Sequence, residues 1–224
     1  MYYLNVFKKI MVKQIRIRGF DNNFSYFVGD KASKEIAIVD PDDADLLLAE
    51  INHGNYVPKM VLITHSHFDH VGGVAELVRH FQIPVYMHKN AENRVDIADD
   101  QKKTVKDGDI IKVGELEIKV LHTPGHIDDA VCYYIPKDKA EDGVPKLLTG
   151  DTLFVEGCGR ADLSGSNVED LYKTLQKLKK LPDETKVYPG HDYGSKPVST
   201  IGWEKEHNRY FLCKDFDEFE SLRT

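Results

Sequence analysis

Four potential metal ligands lie within six residues of each other, and this cluster constrains the chain more than any other feature. The segment THSHFDHVGG, residues 64–73, follows the apolar run Met60–Ile63, which is typical of a strand buried on both faces. Its potential ligands are His65, His67, Asp69 and His70. Side chains of an extended backbone repeat their direction every two residues, so we expect the first two histidines to face one metal ion. A turn into a helix beginning near Gly72 would point the other two ligands toward a neighbouring position.

Three later positions offer the further nitrogen and oxygen ligands that a metal site needs. His126, Asp151 and His191 each follow a glycine, in the segments HTPGH, TGD and YPGH. Glycine directly before a ligand lets the backbone turn sharply and approach closely. Each position is weak evidence by itself.

The hydrophobic pattern predicts strands interspersed with helices. Strands are predicted at Lys13–Arg18, Phe24–Val28, Glu35–Val39, Met60–Ile63, Ile83–Met87, Ala130–Ile135, Lys146–Leu148 and Lys186–Tyr188, with a hairpin over Asp109–Leu121. Helices are predicted at Asp42–Ile51 with Gly54 as its stop, at Gly72–His80, at Val168–Leu178 with a capping box of Ser166 and Glu169, and between Trp203 and Thr224. This pattern predicts sheets sandwiched between helices. A dinucleotide-binding sheet is excluded because no GxGxxG follows a predicted strand.

Composition and charge limit the classes of partner. With 224 residues, 41% of them hydrophobic, the chain is expected to form one domain over residues 12–224, after an N-terminal extension of residues 1–11. The net charge of −7 argues against a nucleic-acid partner, and no apolar run approaches the ~20 residues of a membrane span. Three widely spaced cysteines and an N-terminus unlike a secretory signal favour the cytoplasm. A homo-oligomer is left open.

In order and spacing, the segments THSHFDHVGG, HTPGH, GDTLFVEGCGR and YPGHDY resemble the metallo-β-lactamase superfamily, and within it the glyoxalase II (hydroxyacylglutathione hydrolase) branch. The resemblance spans roughly Phe24 to Tyr193, which is most of the chain. It implies a mixed α/β (α+β) fold, namely a four-layer αβ/βα sandwich with the site along one edge of its two sheets.

The resemblance also implies how the ligands are shared. His65, His67 and His126 would bind a first metal, and Asp69, His70 and His191 a second, with Asp151 bridging both. The expected cofactors are two divalent ions, zinc first, with iron or manganese as alternatives. Two such ions can lower the pKa of a shared water from about 15.7 to about 7, and the resulting bridging hydroxide would attack an acyl carbon. Asp69 would orient it as the catalytic residue, and Arg160 and Tyr193 would bind the substrate.

Individual residues argue against some branches of the superfamily. Asp151 stands where penicillin-cleaving members of the superfamily have Cys or Ser, and His67 stands where flavodiiron proteins have Glu. The predicted function is therefore hydrolysis of a small-molecule acyl-thiol such as S-lactoylglutathione. Only about thirty residues follow Tyr193, so the basic helical domain that binds glutathione in this branch is expected to be absent or much reduced.

Several segments resemble persulfide dioxygenases instead. These segments are GCGRAD at 157–162, HDY at 191–193 and Ser199-Thr200, while Asp162 and Ile127 depart from the glyoxalase II pattern. In this alternative, one iron would be held by His126, Asp151 and either His65 or His67, and would act on glutathione persulfide. Hydrolysis is favoured because all seven ligands of a binuclear site are present.

Other polar residues are assigned supporting or packing roles. His122 could be an eighth metal ligand, but a supporting or structural role is favoured, because Pro124 between it and His126 prevents a helix from aligning the two. Asp40 is expected to support the ligands, with turn capping as the alternative. Cys158 is expected to pack as a small residue, because no base is placed beside it. Four histidines lack any ligand context and are predicted at the surface: His53, His80, His88 and His207.

Overall fold

Two six-stranded sheets account for most of the strands in the chain. A computed structural model describes residues 10–17, 21–140 and 142–222. Within these residues the strands are β1 (Ile10–Arg16), β2 (Phe24–Asp30), β3 (Glu35–Val39), β4 (Val57–Leu62), β5 (Val85–His88), β6 (Lys102–Val105), β7 (Ile110–Val113), β8 (Leu116–His122), β9 (Val131–Ile135), β10 (Lys146–Gly150), β11 (Leu153–Phe154), β12 (Gly157–Cys158), β13 (Lys186–Pro189) and β14 (Ser199–Thr200). The α-helices in the same ranges are α1 (Ala44–Gly54), α2 (Phe68–Val71), α3 (Val74–Phe81), α4 (Val168–Leu178), α5 (Ile201–His207), α6 (Arg209–Leu212) and α7 (Phe216–Ser221). Their lengths and compositions are not those of a bilayer-crossing helix.

Strand direction brings several carboxyl ends to one edge. The first sheet has the order β1-β2-β3-β4-β5-β6, and the second has the order β14-β13-β10-β9-β8-β7. Strands β3 and β4 are parallel, as are β10 and β13. Strand β9 is antiparallel to both β8 and β10, so β8, β10 and β13 run in the same direction. The segments after these strands can therefore share one site.

Both faces of each sheet are covered. Apolar side chains between the sheets come from both of them and include Tyr26, Val39, Leu62, Val120, Tyr133 and Tyr188. Helices α1 and α3 cover the outer face of the first sheet through Leu47, Ile51 and Leu77. Helices α4, α6 and α7 cover the second sheet through Leu171, Leu175, Phe211 and Phe219. The predicted four-layer αβ/βα sandwich is confirmed.

Several predicted boundaries were wrong by a few residues. Strand β1 begins at Ile10 and pairs with β2, so the last two residues of the expected extension belong to the sheet. Residues 1–9 of that extension, and Arg18 of the first predicted strand, lie outside the described residues. The helix expected from Gly72 begins at Phe68 and is interrupted before Val74. The short strands β6, β11, β12 and β14 had no clear apolar alternation and were not predicted.

Two helix caps also differ from the prediction. Helix α1 includes Gly54, and Asn55 adopts the left-handed conformation that ends it, which asparagine tolerates better than most residues. Helix α4 is capped by Asn167, whose side chain accepts a hydrogen bond from the backbone N–H of Asp170. The predicted cap at Ser166 was therefore one residue early.

Gly125 is required by a close approach to helix α4. Its φ is 139°, and a Cβ atom there would lie 2.3 Å from the Cα of Leu171. Because the obstacle is helix backbone, we expect Gly125→Ala to lower the free energy of unfolding by more than about 2 kcal/mol. Gly108 is the matched control: its φ is 86°, but nothing lies within 4 Å, so Gly108→Ala should cost about 1 kcal/mol. Urea unfolding measures both, and equal losses would contradict the steric argument.

Candidate metal centre

All seven predicted ligands meet at the edge that the strand ends form. Strand β4 ends at Leu62, and His67 has an extended backbone directly before α2, which carries Asp69 and His70 on a helical turn. The segments after β8, β10 and β13 supply His126, Asp151 and His191. The side-chain donor atoms form overlapping clusters in which each atom lies within 4.8 Å of the others in its cluster.

The first group consists of three imidazole nitrogens. His67 Nδ1 lies 3.1 Å from His65 Nε2 and 2.9 Å from His126 Nε2. Burial, and then the neighbouring His70, hold the pKa of His65 well below its ordinary value. Burial and His126 likewise lower the pKa of His67. The imidazoles of His65 and His67 are therefore neutral at pH 7, which is the form that binds a metal.

Hydrogen bonds behind the first group determine which nitrogen faces it. His126 Nδ1 lies 2.8 Å from the carbonyl oxygen of Arg160, which can only accept, so Nδ1 carries the proton and Nε2 keeps its lone pair. The hydroxyl of Thr64 donates to Asp40 Oδ2 at 2.6 Å and therefore accepts from His65 Nδ1 at 3.1 Å. Both imidazoles thus present unprotonated Nε2 atoms to the same point.

The second group combines two imidazoles and a carboxylate. His70 Nε2 and His191 Nε2 are 3.3 Å apart, and Asp69 Oδ2 lies 3.8 and 3.5 Å from them. His191 Nδ1 donates to the carbonyl oxygen of Asp21 at 2.8 Å, and His70 Nδ1 lies 3.1 Å from Asp40 Oδ2. As in the first group, both Nε2 atoms point inward.

Asp151 lies between the two groups. Its Oδ2 is 3.6 Å from His126 Nε2 and 3.2 Å from His191 Nε2, and its Oδ1 is 3.3 Å from His70 Nε2. Burial alone would raise the pKa of Asp151, but His70 and His191 hold it well below its ordinary value, so the carboxylate is ionised. Among the described residues, no hydrogen bond reaches the buried Oδ1 atom. A cation at this point would compensate both the charge and the missing partner.

Protons and metal ions would compete for this centre. Burial lowers the pKa of His70, but the carboxylates of Asp151 and Asp40 outweigh it and raise that pKa well above its ordinary value. The pKa of His191 is raised in the same way, because its hydrogen bond to Asp151 outweighs burial. A metal ion bound by these nitrogens would release the protons that they otherwise hold.

The spacing and chemistry of the donors fit a metal. For a metal–nitrogen distance of ~2.0–2.1 Å and tetrahedral geometry, neighbouring donors lie roughly 3.4 Å apart. Nearest donor distances of 2.9 Å in the first group and 3.3 Å in the second are close to this value. Imidazole and carboxylate donors suit zinc, iron and manganese. The cluster is therefore compatible with metal binding.

Besides Thr64, the residues Asn23 and Asp129 support the candidate ligands, and neither role was predicted from the sequence. Asn23 Nδ2 donates to Asp69 Oδ2 at 3.0 Å and so restrains a candidate ligand that lies 46 residues away. Asp129 accepts from the backbone N–H of Ser66 at 3.2 Å and from its hydroxyl, which holds the segment between the first two histidines. Nothing local indicates the role of Asn23, whereas Asp129 follows the HTPGH segment closely.

The remaining polar predictions have mixed outcomes. Asp40 supports the ligands as expected, since it contacts Thr64 and His70. Cys158 is buried. Three of the histidines predicted at the surface are exposed, namely His53, His80 and His207. The prediction for His88 was wrong, because its ring is buried and stacks on His122 with centroids 4.2 Å apart. His122 Nε2 lies 3.1 Å from the carbonyl oxygen of Asp128, so its contacts are structural.

A cavity of about 340 Å³ opens onto the ligand cluster. The lining residues that are at least partly exposed and are not candidate ligands are here called the rim: Asp21, Asp42, Phe68, Arg160, Leu163 and Tyr193. The structure thus brings both predicted substrate-binding residues to the cavity. The Arg160 guanidinium donates to both carboxylate oxygens of Asp162, and the Tyr193 hydroxyl donates to Asp21.

The chain combines a two-sheet αβ/βα sandwich with a cluster of histidines and aspartates at the ends of its strands. This combination is that of a protein with a metal site. Residues 18–191 match the family model described as the metallo-beta-lactamase superfamily, and the chain belongs to that superfamily.

Named relatives and a solved structure show the same similarity. A hydroxyacylglutathione hydrolase of Yersinia enterocolitica is 37% identical over 180 residues, which cover 80% of this chain and 65% of that protein. The probable polyketide biosynthesis zinc-dependent hydrolase PksB of Bacillus subtilis is 30% identical over 223 residues, covering 99% of this chain and 95% of PksB. The crystal structure of ETHE1 from Myxococcus xanthus has a TM-score of 0.82 and 32% identity, covering 95% of this chain and 89% of that chain.

Asp40→Asn tests whether the Asp40 carboxylate orients His70. An amide N–H in place of Oδ2 would donate to His70 Nδ1 and move the imidazole proton to Nε2. We expect the zinc affinity of the second group to fall by roughly 10–100-fold, more than that of the first group. Calorimetric zinc titration with metal analysis measures the zinc affinities of both groups.

Asp107→Asn is the control, because this exposed carboxylate accepts a hydrogen bond from the backbone N–H of His122 and pairs with Lys177, and it is not among the candidate ligands. It should bind zinc as the wild type does. Unchanged zinc binding in a folded Asp40→Asn variant would refute the orienting role.

Proposed function

We propose that the chain hydrolyses an acyl thioester, such as S-lactoylglutathione or a related acyl-thiol, at a binuclear metal centre. The observation that carries this proposal is the presence of two donor groups with the ionised Asp151 carboxylate between them. A mononuclear enzyme would need one such group. The names of two relatives, a hydroxyacylglutathione hydrolase and a zinc-dependent hydrolase, support both hydrolysis and zinc.

The proposed ligand assignment follows the two groups. His65, His67 and His126 would hold the first ion, Asp69, His70 and His191 the second, and Asp151 would bridge them. Zinc is the first choice, with iron or manganese as alternatives. Two such ions would supply a water of lowered pKa and would polarise a substrate carbonyl.

Side chains of the protein would orient the reactants. Asp69 lines the cavity, and the amide of Asn23 restrains its Oδ2, so its carboxylate can accept a hydrogen bond from the attacking water. The ring of Tyr193 stacks on that of His191, with centroids 4.7 Å apart and planes 7° from parallel. Phe154 packs edge-on against Tyr193 and keeps one wall of the cavity apolar. The scissile bond would thus lie between the polar side chains of the candidate ligands and the apolar rings of Phe154 and Tyr193.

A mononuclear-iron persulfide dioxygenase acting on glutathione persulfide is the second candidate. The segments GCGRAD, HDY and Ser199-Thr200 favour it, and the similarity to ETHE1 is in keeping with it. His126, Asp151 and either His65 or His67 would then hold one iron. The two candidates differ in the number of metal ions and in the use of oxygen.

Metal analysis with parallel assays tests the choice. We expect close to two zinc, iron or manganese ions per chain and cleavage of S-lactoylglutathione or another acyl thioester without oxygen uptake. Removal of metal by a chelator should abolish cleavage, because the water would no longer be activated. Added zinc should restore cleavage. One iron per chain with oxygen uptake on glutathione persulfide would replace hydrolysis with the second candidate.

Loss of a ligand should abolish activity. We expect His126→Ala and Asp151→Ala to lower kcat/KM for the thioester by at least about 10³-fold, since each removes a metal ligand. His53→Ala, at an exposed histidine of helix α1, is the control and should keep the wild-type rate. Steady-state kinetics with metal analysis measures these effects. A wild-type rate in either ligand variant would refute the assigned centre.

A further inference from the structure

Arg160 at the rim already faces a carboxylate of the chain itself. Among the described residues that line the cavity, it is the one lysine or arginine. Its Nε and Nη2 donate to Asp162 Oδ1 and Oδ2 at 2.9 and 2.8 Å. This is the paired geometry in which a guanidinium would bind a substrate carboxylate. A substrate carboxylate at this point would therefore meet Asp162 as a like charge.

The other charged side chains of the rim are acidic. Asp21 and Asp42 both line the cavity. Asp21 also accepts the hydrogen bond of the Tyr193 hydroxyl, so this hydroxyl donates to the chain rather than to a substrate carboxylate. Carboxylates at an opening repel anionic ligands and accept hydrogen bonds from amide N–H groups.

The rest of the rim is apolar and exposed. The exposed fractions are 81% for Phe68, 48% for Tyr193 and 37% for Leu163. Phe154 lies behind them, with its ring centroid 5.1 Å from that of Tyr193. Covering apolar side chains at a cavity opening with an uncharged ligand removes them from water and therefore favours binding.

We infer that the preferred substrate is the thioester of an uncharged thiol with an amide-bearing arm and no carboxylate, of the N-acylcysteamine type. This inference rests on the proposed thioester hydrolysis. The arm would pack on Phe68 and Leu163, and its amide N–H groups would donate to the acidic side chains of the rim. Glutathione, by contrast, would bring two carboxylates to a rim whose guanidinium is already paired.

Two thioesters with the same acyl group test the inference. We expect kcat/KM for S-lactoyl-N-acetylcysteamine to exceed that for S-lactoylglutathione by about tenfold at low ionic strength. The ratio should shrink as sodium chloride is raised, because salt screens repulsion between exposed charges. A preference due to shape alone would not respond to salt. A higher kcat/KM for S-lactoylglutathione would overturn the inference and leave hydrolysis standing.

Asp162→Asn tests the pairing with Arg160 directly. With the guanidinium uncompensated, kcat/KM for the glutathione thioester relative to the N-acetylcysteamine thioester should rise by about fivefold. Glu169→Gln is the matched control, since it breaks an exposed ion pair with Lys173 away from the cavity and should leave both values unchanged. An unchanged ratio in Asp162→Asn would overturn the role given to this pair.

Binding of the free thiols separates this inference from the proposed function. N-acetylcysteamine and glutathione are titrated separately into the metal-loaded protein. Tighter binding of N-acetylcysteamine would support the selectivity of the rim, whether or not a thioester is cleaved. Tighter binding of glutathione would overturn it. Cleavage of neither thioester would instead overturn the proposed hydrolysis.

Discussion

Five imidazoles and two carboxylates converge on one small volume, and the rest of the structure is arranged around that convergence. Several of these groups are buried and two imidazoles are neutral, so their lone pairs face each other without donors between them. Asp151 is ionised in the same place, with one oxygen that no hydrogen bond from the described residues reaches. Such an arrangement is costly unless a cation is present. The Nδ1 atoms of His126 and His191 contact backbone carbonyl oxygens, and Nδ1 of His70 contacts Asp40. These contacts keep the opposite ring nitrogens pointing into the cluster.

The backbone makes this convergence possible by close approach. A Cβ atom at Gly190 would lie 2.4 Å from Asp151 Oδ1 and 2.8 Å from His70 Cε1, inside the ligand cluster itself. Glycine is therefore needed there for space. The parallel direction of β8, β10 and β13 then places three ligand segments side by side. The two faces of the sandwich, which are packed with apolar side chains, keep these segments in register.

The floor and the rim of the cavity come from different parts of the fold. Ligands at the floor follow strands or lie on α2, where the sheets restrain them. Rim residues such as Asp21 and Leu163 lie outside the strands and helices, where substitutions disturb the core less. Reaction chemistry and substrate selectivity can therefore vary independently. In this chain the rim combines acidic and apolar side chains around a paired arginine. Under the proposed thioester hydrolysis, these side chains would affect the choice of thiol carrier rather than bond cleavage.

The sequence by itself determined the longer strands, the layered fold and the identity of the candidate ligands, because these depend on periodicity and on short motifs that act locally. Only the tertiary structure decided which nitrogen of each histidine faces inward, and that His88 is buried. Pairings such as Asn23 with Asp69 and His191 with Asp21 join residues 46 and 170 positions apart. Hydrogen bonds and charge pairs act over a few ångströms, and the distance between such residues is set by how the sheets pack.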